Sequence, residues 1–170
     1  MNIEEVRLSL EIGGYAAGVA SVLFLGIQLM KERKLEEYKL LQALEEKYTS
    51  LLWKATEHSE VDKVWKDIPP NRKAVFESLF HTGDKDSWPI WEVMTDEEKN
   101  CYRFSRSGLE ILEQAFLAKK KGWIKDKEIW GKWEGWMISW KTTNSFVPYV
   151  LMEIEHWFSP SFLKYFNALK

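Results

Sequence analysis

Cysteine is nearly absent: Cys101 stands alone among 170 residues. No internal disulfide can form, a composition that fits a reducing compartment. Histidine is almost as scarce. His58, His81 and His156 are too scattered for a recognisable metal site, and no Cys-x-x-Cys or His-Glu-x-x-His run occurs. There is no glycine-rich phosphate loop. Basic charge is not in excess either. A formal net charge of −2 and a pI near 6.0 argue against broad binding to nucleic acid, which requires a basic face. Strand-like alternation, internal repeats and low-complexity tracts are missing too, which leaves an all-α chain with no cofactor to be expected.

What the chain does contain is a long stretch without charge. From Ile12 to Met30 it reads IGGYAAGVASVLFLGIQLM. At about 1.5 Å per residue such a helix spans roughly 28 Å, close to the ~30 Å of bilayer hydrocarbon. The leader MNIEEVR carries Glu4 and Glu5 instead of a basic n-region, and Lys31-Glu32-Arg33-Lys34 follows the run where a cleavage site would need small residues. The expectation is a retained transmembrane helix. Lys31, Arg33, Lys34 and Lys39 follow it and only Arg7 precedes it, so the positive-inside rule places the N-terminus outside and the rest in the cytoplasm. Lys31, Arg33 and Lys34 are the candidate headgroup contacts.

Glu11, Gly14, Gly18, Ser21, Leu25 and Gln28 recur at spacings of three and four and share one stripe of that helix. Small residues let helix backbones approach, so Glu11, Gly14, Gly18, Ser21 and Gln28 are candidates for association within the membrane. The same stripe could instead line an oligomeric pore with Glu11 at its outer mouth.

No glycine or proline interrupts residues 31–68, so the helix is expected to continue beyond the bilayer. Leu41, Leu44, Tyr48 and Leu51 keep the three-four spacing of an amphipathic helix packed on its own domain. Pro69-Pro70 ends this region. The expected organisation is thus a tail and membrane helix over 1–30, a helical extension over 31–68 and a Trp-rich helical domain over 69–170.

Punctuation along the last part is explicit. A helix is predicted over Arg72–Phe80, then a loop over His81–Pro89. Thr95 and Glu98 have capping-box spacing, and Lys119-Lys120-Lys121-Gly122 supplies a cationic last turn and a stop. Asp126 caps a helix KEIWGKWEGWMISWK, Pro148 opens another to about Phe158, and Ser159-Pro160 starts a terminal one ending near Leu169.

Ten tryptophans are present, mostly in the second half. Trp130, Trp133, Met137 and Trp140 share a helical face with Trp136 beside it, while Gly131 and Gly135 lie between them. Such a face is either an aromatic core, with the glycines admitting a neighbouring helix, or a surface for a partner helix, lipid or small ligand. The lysines at 119, 120, 121, 125 and 127 either complement a helix end in water or meet anionic headgroups or a phosphorylated ligand. Glu110, Glu113, Glu153, Glu155 and His156 are the acid–base candidates, and an enzyme would have to gather Glu113 or Glu155 with His156 in one pocket. Cys101 has no neighbouring histidine that would mark a nucleophile.

Over residues 96–141 the chain resembles a family of small bacterial single-pass membrane proteins of unknown function, which carry a helical pair with a Leu-Asn-Phe-Phe-Glu type motif. The matching residues are Leu109-Glu110-Ile111-Leu112-Glu113, then Gly122, Ile124, Trp130 and Trp136. Glu110 stands where the family has Asn, and Ile111-Leu112 where it has an aromatic pair. The resemblance implies a bacterial inner membrane anchor and an all-α cytoplasmic domain, and it implies no activity. The expected function is a membrane-anchored, non-enzymatic interaction or accessory subunit. Its expected partners are membrane lipid and a homo-oligomer or larger membrane complex. The alternative is an oligomeric, channel-forming effector gated by the cytoplasmic domain.

Overall fold

A computed structural model of the chain describes the backbone of residues 3–57, 61–80 and 92–170, and the side chains of residues 21–57, 61–78 and 92–170. Every regular element among them is a helix, as the missing β-alternation predicts. In chain order these are α1 (Ile3–Glu57), a 3₁₀ turn (Val61–Trp65), α2 (Pro70–Phe80), α3 (Asp96–Lys120), α4 (Lys127–Thr143), α5 (Val147–Ile154), a second 3₁₀ turn (Glu155–Trp157) and α6 (Pro160–Ala168). The loop expected at His81–Pro89 lies outside the described residues. Two units are formed, Met1–Leu40 and Leu41–Lys170.

In the first unit Val22, Leu23, Phe24, Leu25, Ile27, Leu29 and Met30 are 49–70% exposed on α1. Among the described residues no helix is long and apolar enough to cross a membrane. The span expected at Ile12–Met30 is only partly covered by this statement, because residues 12–20 lie outside the described side chains. Ser21–Met30 is about 15 Å of helix, roughly half the hydrocarbon thickness. Glu11, Gly14 and Gly18 of the expected stripe are likewise outside the described side chains. Ser21 and Gln28 are exposed.

The second unit is built around α3. Cys101, Phe104, Ser105, Gly108, Leu112 and Ala115 repeat at three and four and are all buried. α4, α5, α6 and the first 3₁₀ turn pack on this helix. The last part of α1 adds Leu44, Tyr48 and Ala55 to the same core, as its amphipathic spacing predicts. Residues 41–57, read from sequence as part of an extension, are therefore structural members of the helical unit.

The helix ends follow their local signals. Thr95 Oγ1 accepts from the Glu98 amide at 3.3 Å, and the Glu98 carboxylate accepts from the Thr95 amide at 2.8 Å. Two donors left over by the helix start are satisfied reciprocally. Gly122 follows α3 with φ +75°, a conformation that glycine adopts without the Cβ clash. Asp126 accepts from the amides of Glu128 and Ile129, and Ser159 accepts from that of Phe162 with Pro160 behind it. α5 is shorter than expected. It leaves the α-region at Ile154 (φ −121°, ψ 22°), and residues 155–157 tighten into the 3₁₀ turn.

α2 is fastened to the start of α3 by one ion pair. Arg72 donates to both oxygens of Glu98, at 2.7 and 2.5 Å, and to the Val93 carbonyl at 2.8 Å. Burial disfavours charge on Glu98. The hydrogen bonds from Arg72 and Thr95, with the Arg72 charge beside it, outweigh burial and hold the carboxyl below its ordinary 4.5. A carboxyl held low stabilises the fold above its ordinary pKa, and that contribution fades as pH falls through the lowered one. Glu98→Gln is expected to cost about 1–2 kcal/mol at neutral pH. It should also flatten the acid-side loss of stability below pH 4.5, as read from urea midpoints across a pH series.

Candidate functional site

The aromatic face of α4 meets the end of α1 that enters the helical unit. Trp140 is 1% exposed. Its indole N–H donates to the Tyr48 hydroxyl at 2.8 Å. The Tyr48 ring stacks on Trp136 (centroids 4.3 Å apart, 21° between planes) and meets the edge of Trp133 at 5.9 Å. Phe104 stacks on the Trp140 ring at 5.3 Å, and Trp65 abuts it edge-on at 5.7 Å. Burial, partly offset by the Trp140 hydrogen bond, pushes the Tyr48 phenol up to about 12. It stays neutral across the working range of pH.

This arrangement decides between the two readings of the aromatic face for most of its members. Trp133, Met137 and Trp140 are core side chains, so the partner surface expected on them is not free. Only Trp130 and Trp136 keep an outward edge. Trp136 carries the Lys132 ammonium 4.9 Å from its ring centroid, and Lys132 also pairs with Glu45 at 3.1 Å. The glycines expected to admit a neighbour do not do so: a Cβ at Gly131 or Gly135 would meet nothing within 4 Å. The close approach occurs at Gly108 on α3, where a Cβ would fall 1.8–2.4 Å from the Trp140 ring. Sequence spacing gave no sign of Gly108, because its partner lies on another helix.

Two buried polar groups lock the far end of α4. Ser105 Oγ lies 2.9 Å from both the Cys101 carbonyl and Asn144 Oδ1, and Asn144 Oδ1 also accepts from the Phe146 amide at 3.0 Å. Cys101 is buried beside this knot.

The acid–base candidates are not assembled. Glu113 accepts from the Ser159 amide at 2.5 Å and so positions the start of α6. Glu155 and His156 are exposed on the second 3₁₀ turn, where His156 meets the edge of Trp157. Glu153 lies beside the Tyr102 hydroxyl. Burial first, and the Glu153 carboxylate second, keep that phenol neutral well above its usual range. Tyr165 donates to Glu134, and burial together with that carboxylate has the same effect there. Among the described residues no group of three His, Cys, Asp or Glu side chains is placed to hold a metal ion.

Two surface features went unseen in the sequence. An open groove of about 610 Å³ runs between α1 and α3, with Lys47, Ser50 and Lys54 on one wall and Ser107, Glu110 and Gln114 on the other. Beside it Arg106 pairs with Glu110 at 2.9 Å and lies 4.4 Å from the centroid of Trp157, an exposed ring. In the motif Leu109–Glu113, Leu109 and Leu112 are fully buried. Those positions serve the core, Glu110 pairs with Arg106 one turn away, and Glu113 holds the start of α6.

No family model matches the chain, and no curated protein or solved structure proves similar to it.

Two comparisons test the aromatic junction. Gly108→Ala gains about 1 kcal/mol of helix propensity, but it drives a methyl into a ring that Phe104, Trp65 and Tyr48 hold in place. Overpacking of this kind costs about 1–3 kcal/mol, and loss is expected to win. Gly131→Ala, in open space, should instead gain up to about 1 kcal/mol. Thermal unfolding should shift in opposite directions for the two variants. Tyr48→Phe leaves the Trp140 N–H buried without its acceptor and should cost about 1–3 kcal/mol in urea unfolding.

Proposed function

We propose that the chain is a membrane-anchored, non-enzymatic interaction module. Its apolar segment enters the bilayer and associates there with further copies or a larger complex. The helical unit is presented to partners on the cytoplasmic side. The observation that carries this reading is the exposed row Val22–Met30. Leaving seven such side chains 49–70% exposed to water forgoes roughly 1–2 kcal/mol for each, and soluble surfaces rarely hold apolar residues in so continuous a patch. Lipid removes that cost. The charge-free sequence upstream, from Ile12, extends the row to the length a bilayer requires.

Orientation follows from Lys31, Arg33 and Lys34, which succeed the apolar run and suit the cytoplasmic leaflet. Association is assigned to the stripe of Glu11, Gly14, Gly18, Ser21 and Gln28. The non-enzymatic part of the reading is supported by the employment of the carboxylates. Glu98, Glu110 and Glu113 each hold a neighbouring element or side chain in place.

Alkaline washing of membranes from cells expressing the full chain tests the anchor. The wild type is expected to remain with the membranes. Leu23→Arg combined with Leu25→Arg should release it, since each Arg at mid-bilayer costs about 2.5–3.5 kcal/mol on insertion scales. Release of the wild type would remove the proposal. Mass measurement after gentle detergent extraction tests association, and a lone monomer would exclude the assigned stripe as an interface.

A further inference from the structure

The lysines of the α3–α4 turn are left without a role by the function proposed above. Their place in the helical unit gives them one. Lys119 Nζ lies 5.7 Å from the centroid of Trp130, and further along the same helix pair Gly108 faces Trp140. α3 and α4 are therefore antiparallel, and their connecting turn closes the Lys119–Trp130 end. α4 also runs alongside the last part of α1 in the same direction: Lys132 pairs with Glu45, while Trp136 and Trp140 meet Tyr48. Taken together, these contacts put the lysine-rich turn at the end of the helical unit where the chain comes in at Leu41. Only residues 31–40 separate Leu41 from the apolar run, and ten residues can span no more than about 35 Å.

Two of the ammonium groups at this end meet neutral partners. Lys120 donates to the neutral Ser161 hydroxyl at 3.1 Å. Lys121 lies 4.9 Å from the centroid of Trp123, and an indole face attracts an ammonium without cancelling its charge. Lys127 is exposed beside them. The acids of the same stretch are Glu128 and Asp126, and the Asp126 carboxylate is engaged in capping α4. Trp123 and Trp130 are half-buried, each beneath a lysine. Indole with ammonium is the side-chain pairing that favours the headgroup layer.

We infer that the turn Lys119–Lys127 is a second membrane contact, which seats the helical unit on the anionic headgroups of the leaflet that α1 enters. The inference rests on the membrane anchor proposed above. The contact holds one end of the unit against the bilayer and turns the α2 end, at the opposite end of α3, away from it.

Lysine acetylation of the full chain in nanodiscs, read residue by residue by mass spectrometry, tests this contact. The discs are made of phosphatidylcholine alone or of phosphatidylcholine mixed with phosphatidylglycerol. Each headgroup-bound lysine is worth about a fivefold change in occupancy, so Lys120, Lys121 and Lys127 are expected to react about fivefold more slowly in the anionic discs. Lys73, exposed on α2, should be unchanged and serves as the reference. The protection should disappear at about 1 M salt, where the Debye length is about 3 Å. Equal reactivity in the two kinds of disc would overturn the inference. So would equal protection by inorganic phosphate in phosphatidylcholine discs, which would mark a site for soluble anions. Co-elution of the chain with phosphatidylcholine discs at high salt tests the anchor separately. Lysine protection in anionic discs by a chain that fails this co-elution would keep the second contact and remove the anchor.

Discussion

The seat of Trp140 is the constraint on which the helical unit depends. The indole is too large to bury at a helix crossing unless one helix presents no side chain, and α3 presents Gly108. It is too polar to bury unless its N–H finds an acceptor, and α1 supplies the Tyr48 hydroxyl. One side chain thereby requires three helices to be in register. Phe104 stacks on the indole and Trp65 packs perpendicular to it. The last part of α1 is fixed to the bundle at this junction, so the helix that carries the exposed apolar row is also a wall of the folded unit.

A second fastening works at the start of α3. Glu98 closes the capping box with Thr95 and simultaneously receives Arg72, so the start of one helix and the placement of another share a carboxylate. The Ser105–Asn144 pair plays a comparable part at the end of α4. These polar contacts lie at helix ends, where backbone groups lack partners within the helix. On α1 and α3 the aromatic contacts of Tyr48 and Phe104 lie within the helix, where burial of area dominates.

The helix boundaries were legible in the sequence wherever their cause is local. Thr95 with Glu98, Asp126, Gly122 and Ser159-Pro160 each act within four residues, and each stands where its spacing puts it. The amphipathic spacing of Leu44 and Tyr48 likewise identified the inward face of α1. Contacts between distant residues were not legible. Gly108 looks like any glycine until Trp140 is placed against it, whereas Gly131 and Gly135 resemble an approach site and face open space. Arg72 and Glu98 are 26 residues apart, and nothing in either neighbourhood announces the pair. The aromatic face of α4 was legible as a face, but its occupant was not, since core and docking surface share one periodicity. The α1–α3 groove depends on the crossing of two helices and left no trace in spacing.

On the proposed reading the exposed row Val22–Met30 lies in lipid, while Leu44, Tyr48 and Ala55 of the same helix belong to the core of the helical unit. Site-directed spin labelling tests this most directly, with a label at Phe24→Cys or at Trp53→Cys in chain reconstituted into bilayers and the buried Cys101 left in place. Collision with oxygen, which concentrates in lipid, is compared with collision with a water-soluble nickel complex. The account predicts that position 24 meets oxygen and excludes nickel while position 53, exposed on the same helix, does the reverse. Free access of nickel to position 24 would contradict it.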